Sequence, residues 1–116
     1  MSVVNQEHSP LLSAQEIVDI VKEVLNDKKA ENVVTLNISE KSTFADFLVI
    51  GSGNVARQTA AMADHILRTL KEYGVNGVVE GLPQGDWVLV DLGCVVVHLF
   101  RPEIRERYNL EKMWAS

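Results

Sequence analysis

Four groups of residues have the types and spacing to do chemistry. Gly51-Ser52-Gly53-Asn54 forms a sharp polar turn between an apolar run and a helical pattern. Free N–H groups at such a helix start can hold an anion, so a phosphate site and an ordinary strand-to-helix turn both fit. Asp46, Asp91 and His98 stand inside apolar runs, where polar groups cost free energy unless paired or solvated. A hairpin that set Asp91 diagonal to His98 would make an acid–base pair of them. A structural hydrogen bond, or a polar patch on an uncovered face, is the plainer alternative, since no nucleophile or metal set accompanies them. His8, His65 and His98 are far apart, without ligand spacing, so neither a metal nor a cofactor is expected. Trp87 and Trp114 are the last group, because tryptophan is enriched where interfaces concentrate their energy. Core packing fits a strand tryptophan as well. The mixture of Trp87 and Phe100 with Asp86 and Asp91 tilts the reading toward a docking face.

Several elements must position these groups. Ser13 and Glu16 have capping-box spacing, and Ile17, Ile20, Val21, Val24 and Leu25 follow as one buried helical stripe. The polar run 26–32 ends that helix. Val34, Leu36 and Ile38 alternate with polar residues as a half-exposed strand over 33–38, and 44–50 reads as a more buried one. Asn54 is the expected N-cap of a helix over 55–73 that buries Thr59, Met62, Ala63, Ile66 and Leu70. Gly74 stops it in the left-handed conformation. A third strand over 75–79 is weakened by Gly77, and Leu82-Pro83-Gln84-Gly85 has turn chemistry.

Residues 87–92 and 95–100 are the most strand-like in the chain, and Gly93-Cys94 fits a two-residue hairpin turn. That register pairs Leu92 with Val95, Val90 with Val97 and Val88 with Leu99 on one apolar face. The other face carries Trp87 opposite Phe100 and Leu89 opposite His98. Pro102 and Glu103 open a last helix, with Ile104 and Tyr108 on one side and Glu103 to Arg107 read as a solvated face. Asn109 recaps it before Leu110, Met113 and Trp114. Hairpins mixed with a strand–helix–strand unit give an α/β fold, a mixed sheet of about five strands with flanking helices.

The chain has 116 residues, 47% of them hydrophobic, enough for one domain with its own core. Residues 1–12 read as a loose tail and 13–116 as the single domain. The lone cysteine, Cys94, leaves no internal disulfide and suits a reducing compartment. No apolar run reaches the roughly 20 residues needed to span a bilayer, and the start lacks the order of a secretory signal, so a cytoplasmic location is expected. The formal charge of −5 argues against broad nucleic-acid binding and suits a basic partner.

The turn at Gly51-Ser52 also looks like the opening of the nucleotidyltransferase fold, whose enzymes need a following carboxylate pair. No D-x-D follows here, so a reduced nucleotide-binding enzyme using Ser52, Asp46 and Asp91 with magnesium is the alternative reading. A more specific resemblance runs over residues 13–114. The segments Asp86 to Gly93, Val95 to Phe100, and Arg105, Tyr108 and Leu110 to Trp114 resemble the ribosomal silencing factor (RsfS, or Iojap) family. So do Phe44 to Phe47, Ile50 to Gly53, Arg57-Gln58, Ala63-Asp64 and Glu80-Gly81. The resemblance implies a nucleotidyltransferase-like sheet without catalytic carboxylates, and no enzymatic activity. It implies docking on ribosomal protein L-fourteen of the large subunit, which blocks the small subunit and represses translation under nutrient limitation. It also implies a homodimer. By position, the docking residues fall on Trp87, Asp86, Asp91, His98, Tyr108, Glu111 and Trp114. The family commonly has an aspartate where this chain has Cys94, which removes one acidic contact.

Overall fold

The computed structural model describes residues 12–81 and 85–115. Residues 1–11, 82–84 and 116 lie outside those ranges, and with them all but Leu12 of the tail expected over 1–12 and all but Gly85 of the turn expected over 82–85. Helix α1 (Ala14–Asp27) opens with the expected capping box. The Ser13 amide donates to Glu16 Oε1 at 2.8 Å, and the Glu16 amide donates to Ser13 Oγ at 3.1 Å. Its buried stripe is wider than the heptad-like pattern predicts: Val18 is fully buried, and Ile20 only packs at the border. Sheet and helix meet α1 on adjacent sides, so the apolar arc must cover both.

Strand β1 (Glu31–Asn37) starts two residues before the expected 33–38, inside the polar run that ends the helix. Strand β2 (Phe47–Ser52) starts and ends later than the apolar content of 44–50 predicts. The Ser42 hydroxyl accepts from the Phe44 and Ala45 amides, so Phe44 sits in a side-chain-made turn and is exposed. Asp46 is likewise exposed and lies just before β2 rather than inside an apolar strand. At the other end, Gly51 and Ser52 continue the ladder opposite Leu99 and Phe100, so the chain turns later than the glycine signal suggested.

Helix α2 (Ala56–Lys71) buries Thr59, Met62, Ala63, Ile66 and Leu70, as its periodicity requires. Its N-cap is Val55, without a side-chain cap, rather than Asn54. Gln58, in the first turn, fixes the segment that enters the helix. Its Oε1 accepts from the Asn54 amide at 2.7 Å while its Nε2 donates to the carbonyls of Lys28 and Lys29. Gly74 takes φ +85° past the helix end, and the Val75 amide closes on the Leu70 carbonyl. Strand β3 (Val78–Glu80) is shorter than 75–79 because the chain first passes beneath two leucines. A Cβ on Gly77 would stand 2.7 Å from Leu67 and 2.8 Å from Leu92.

Strands β4 (Trp87–Asp91) and β5 (Val95–Phe100) form the predicted hairpin, with Trp87 opposite Phe100, Val88 opposite Leu99 and Leu89 opposite His98. The sheet order is β1-β2-β5-β4-β3. Only β2 and β5 run parallel, and the other neighbours are antiparallel. One face carries Val49, Val88, Val90, Val95, Val97 and Leu99 against α1 and α2. On the opposite face, Leu48, Ile50, Val96 and Phe100 meet Ile104, Leu110 and Trp114. Those three belong to helices α3 (Pro102–Tyr108) and α4 (Leu110–Ala115). Asn109 joins the two helices in the left-handed conformation, φ +46°, and its side chain accepts from the Lys112 amide. Among the described residues, no helix is long and apolar enough to cross a membrane.

Candidate functional site

Helix α3 packs on β5 and α4 on β1, so the second face of the sheet is covered toward the β1 side only. On this face Tyr108 of α3 reaches Trp87 at the start of β4, and among the described residues no helix packs on the rest of the β3–β4 ribbon. Residues directly opposite in a ladder share a face. Val78 therefore projects beside Asp91, and Glu80 beside Leu89, on the side that carries Trp87. Val78 is 60% exposed, Glu80 and Asp91 are exposed, and Trp87 and Leu89 are half-buried. A shallow groove runs between Glu80, Gly81, Trp87 and Leu89.

Trp87 is the centre of an aromatic cluster. Its ring centroid lies 4.9 Å from Phe100, 4.7 Å from Tyr108 and 5.9 Å from His98. The indole Nε1–H donates to His98 Nδ1 at 3.0 Å. Burial lowers the His98 pKa from 6.5 to about 4, so the ring is neutral at neutral pH and its proton sits on Nε2. Phe100, 1% exposed, forms the floor and lies nearly parallel to the His98 ring.

The sequence-predicted site residues separate into two groups. Trp87, His98 and Tyr108 come together in the cluster, with Tyr108 half exposed. Asp86 and Asp91 flank it at the two ends of β4. Asp91 is diagonal to His98, as the register requires, yet the two do not act as a pair. Its carboxylate accepts from the Gly93 amide at 2.9 Å and shapes the hairpin turn, while His98 Nδ1 is occupied by Trp87. Asp86 accepts from Arg101 at 3.2 Å across a part-exposed ion pair. Glu111 and Trp114 lie elsewhere. Trp114 makes an edge contact with Phe44, centroids 6.1 Å apart, where α4 meets β1.

Glu111 is held by a residue that periodicity alone had assigned to a solvated helix face. Arg105 is 9% exposed; its Nη2 and Nε donate to the two Glu111 carboxylate oxygens at 2.8 and 3.2 Å. This hydrogen bonding holds the Glu111 carboxyl below its ordinary pKa. The sequence signal is faint: the two residues are six apart across a helix break at Asn109.

The glycine-serine turn is occupied by the protein's own groups. Arg105 Nη1 donates to Ser52 Oγ at 2.8 Å, the Gly53 amide donates to the Phe100 carbonyl, and the Asn54 amide donates to Gln58. The Gly53 and Asn54 amides are therefore already used within the protein. Among the described residues, no three His, Cys, Asp or Glu side chains gather closely enough to hold a metal ion.

Comparison with known proteins adds a separate line of observation. Residues 11–116 match the family model described as "Ribosomal silencing factor during starvation". A ribosomal silencing factor RsfS from Halalkalibacterium halodurans is 43% identical over 106 residues, covering 90% of this chain and 91% of that protein. A crystal structure of a Chromobacterium violaceum protein superposes with a TM-score of 0.87 at 36% identity, covering 90% of this chain and 88% of the other. A mouse protein named "Mitochondrial assembly of ribosomal large subunit protein 1" is 31% identical over 102 residues, 84% of this chain and 45% of its own length.

Proposed function

We propose, since the chain belongs to the ribosomal silencing factor family, that it docks on the large ribosomal subunit and keeps the small subunit from joining. The foothold is a basic protein of that subunit, ribosomal protein L-fourteen, and the site of action is the cytoplasm. The consequence is lower translation when nutrients are short. The observation that carries this reading is the face of the β3–β4 ribbon that no described helix covers, with the half-buried Trp87 at one end, Asp86 and Asp91 at the two ends of β4, and Glu80 beside Leu89.

The physical argument is one of charge and shape. A chain of net charge −5 is repelled by ribosomal RNA, so its attachment point should be a basic protein surface. An aromatic anchor supplies the desolvated centre of such an interface and carboxylates its rim. Blocking requires affinity and bulk, with no turnover. The name of the mouse relative points to the same ribosomal subunit. A homodimer, which the family resemblance implies, is compatible with this reading only if it leaves the ribbon free or dissociates before docking.

The test is sedimentation of the purified chain with separated ribosomal subunits. Wild type should travel with the large subunit and suppress subunit joining. Trp87→Ala should weaken binding by about 2 kcal/mol, the size of an interface hot spot. Wild-type protein that stays at the top of the gradient would refute the reading.

A further inference from the structure

We propose that His98 is a positioning residue for docking: it holds the Trp87 indole with its N–H turned into the protein, so that the partner meets a hydrocarbon ring. This rests on the docking reading above and specifies the chemistry of that site.

The geometry begins with strand register. His98 lies directly across from Leu89, one diagonal step from Trp87, on the same face of the hairpin. Its Nδ1 accepts the indole proton at 3.0 Å. The histidine itself has little freedom, because its ring lies at 10° to that of the fully buried Phe100, centroids 5.9 Å apart. A buried wall thus fixes the acceptor, and the acceptor fixes the rotation of the indole. The Phe100 and Tyr108 rings, centroids 4.9 and 4.7 Å away, brace it further.

The chemical consequence concerns the partner. Tryptophan at an interface usually contributes both an apolar body and one N–H donor. Here the donor is spent internally, so a carbonyl or carboxylate of the partner gains nothing at Trp87. An aliphatic side chain, or the stem and cation of an arginine or lysine, is the matching group. The ring supplies dispersion and cation–π attraction, and the exposed Glu80 carboxylate lies on the same face, beside Leu89.

Three substitutions separate positioning from bulk. His98→Asn keeps an acceptor near the Nδ1 position, His98→Gln carries its amide beyond it, and His98→Leu has no acceptor. In nitrogen-edited NMR spectra, the Trp87 Nε1–H signal, identified by its loss in Trp87→Phe, should exchange slowly with solvent in wild type and His98→Asn. It should exchange fast in His98→Gln and His98→Leu. Affinity for large subunits should fall about tenfold in the latter two, the scale of one hydrogen bond, and recover to within about threefold in His98→Asn. Should His98→Leu fail to fold, the Asn and Gln pair carries the comparison. Equal affinity across all the His98 variants, with Trp87→Ala weakened, would overturn the assignment while leaving the docking reading intact. Wild type that does not bind large subunits would remove both.

Discussion

The Arg105 guanidinium donates to the Ser52 hydroxyl at 2.8 Å, joining helix α3 to the end of the inner strand β2, 53 residues earlier. The same guanidinium binds Glu111 through two contacts, so one side chain ties β2, α3 and α4 together. Loss of Arg105 would leave Ser52 and Glu111 without their shared donor. Arg105→Ala should destabilise the fold by about 2–3 kcal/mol, the range for charge-assisted hydrogen bonds, discounted for a partly exposed carboxylate. Arg105→Lys should recover only part of this, because an ammonium cannot reproduce the fork. Urea unfolding of the three proteins measures both.

Stability should fall between pH 6.5 and about 4. His98 has its pKa lowered to about 4 by burial, so across that window the unfolded chain binds a proton that the folded chain refuses. A folded pKa below the unfolded one means stability that is complete above 6.5 and lost as pH falls toward 4. The full swing is on the order of 3 kcal/mol. Melting temperatures from pH 7.5 to 4.5 should show it, and His98→Asn should flatten the curve. Glu111, lowered by Arg105, acts in the same direction below its ordinary range of about 4.5.

Reversing the charge at the rim should slow docking more than it weakens the docked state. Glu80→Lys changes an exposed side chain beside Leu89. Its association rate with large subunits should drop several-fold at low salt, and the difference should shrink as salt rises. A rate independent of both charge and salt would take Glu80 off the docking face.

Gly81→Ala should disturb fold and site together. Gly81 has φ +103°, and a Cβ there would run into the Trp87 carbonyl and the Val88 Cα. The expected cost is several kcal/mol, about 1–2 from the backbone conformation alone and the rest from displacing β4. Thermal unfolding and the tryptophan near-ultraviolet circular dichroism should change in the same variant.

Short-range signals made much of this molecule legible from its residues. The β4–β5 register follows from Gly93 and the alternation around it, and it places Trp87, His98 and Phe100 on one face without further information. The capping box at Ser13 and the stop at Gly74 are equally local. What was missed depends on distant partners. The apolar Phe44 reads as strand until Ser42 is seen to build a turn beneath it. Asn54 is a good cap by type, yet the helix starts one residue later, with Asn54 held through its backbone amide by Gln58, which also bridges to the Lys28 and Lys29 carbonyls. Arg105 sits in a charged run, and only the position of Ser52 in the folded sheet explains its burial. The open ribbon was visible only after the paths of α3 and α4 were known.

The parallel pairing of β2 with β5 has a consequence for synthesis of the chain. Residues 47–52 are made well before their neighbour in the middle of the sheet, residues 95–100. Until that strand leaves the ribosomal tunnel, β2 keeps one bare edge, and α1 and α2 lack the Val95, Val97 and Leu99 side chains they pack against. Folding of the sheet must therefore wait until residues 95–100 have been made. Newly made chains that stall before Val95 will be targets for chaperones or proteases.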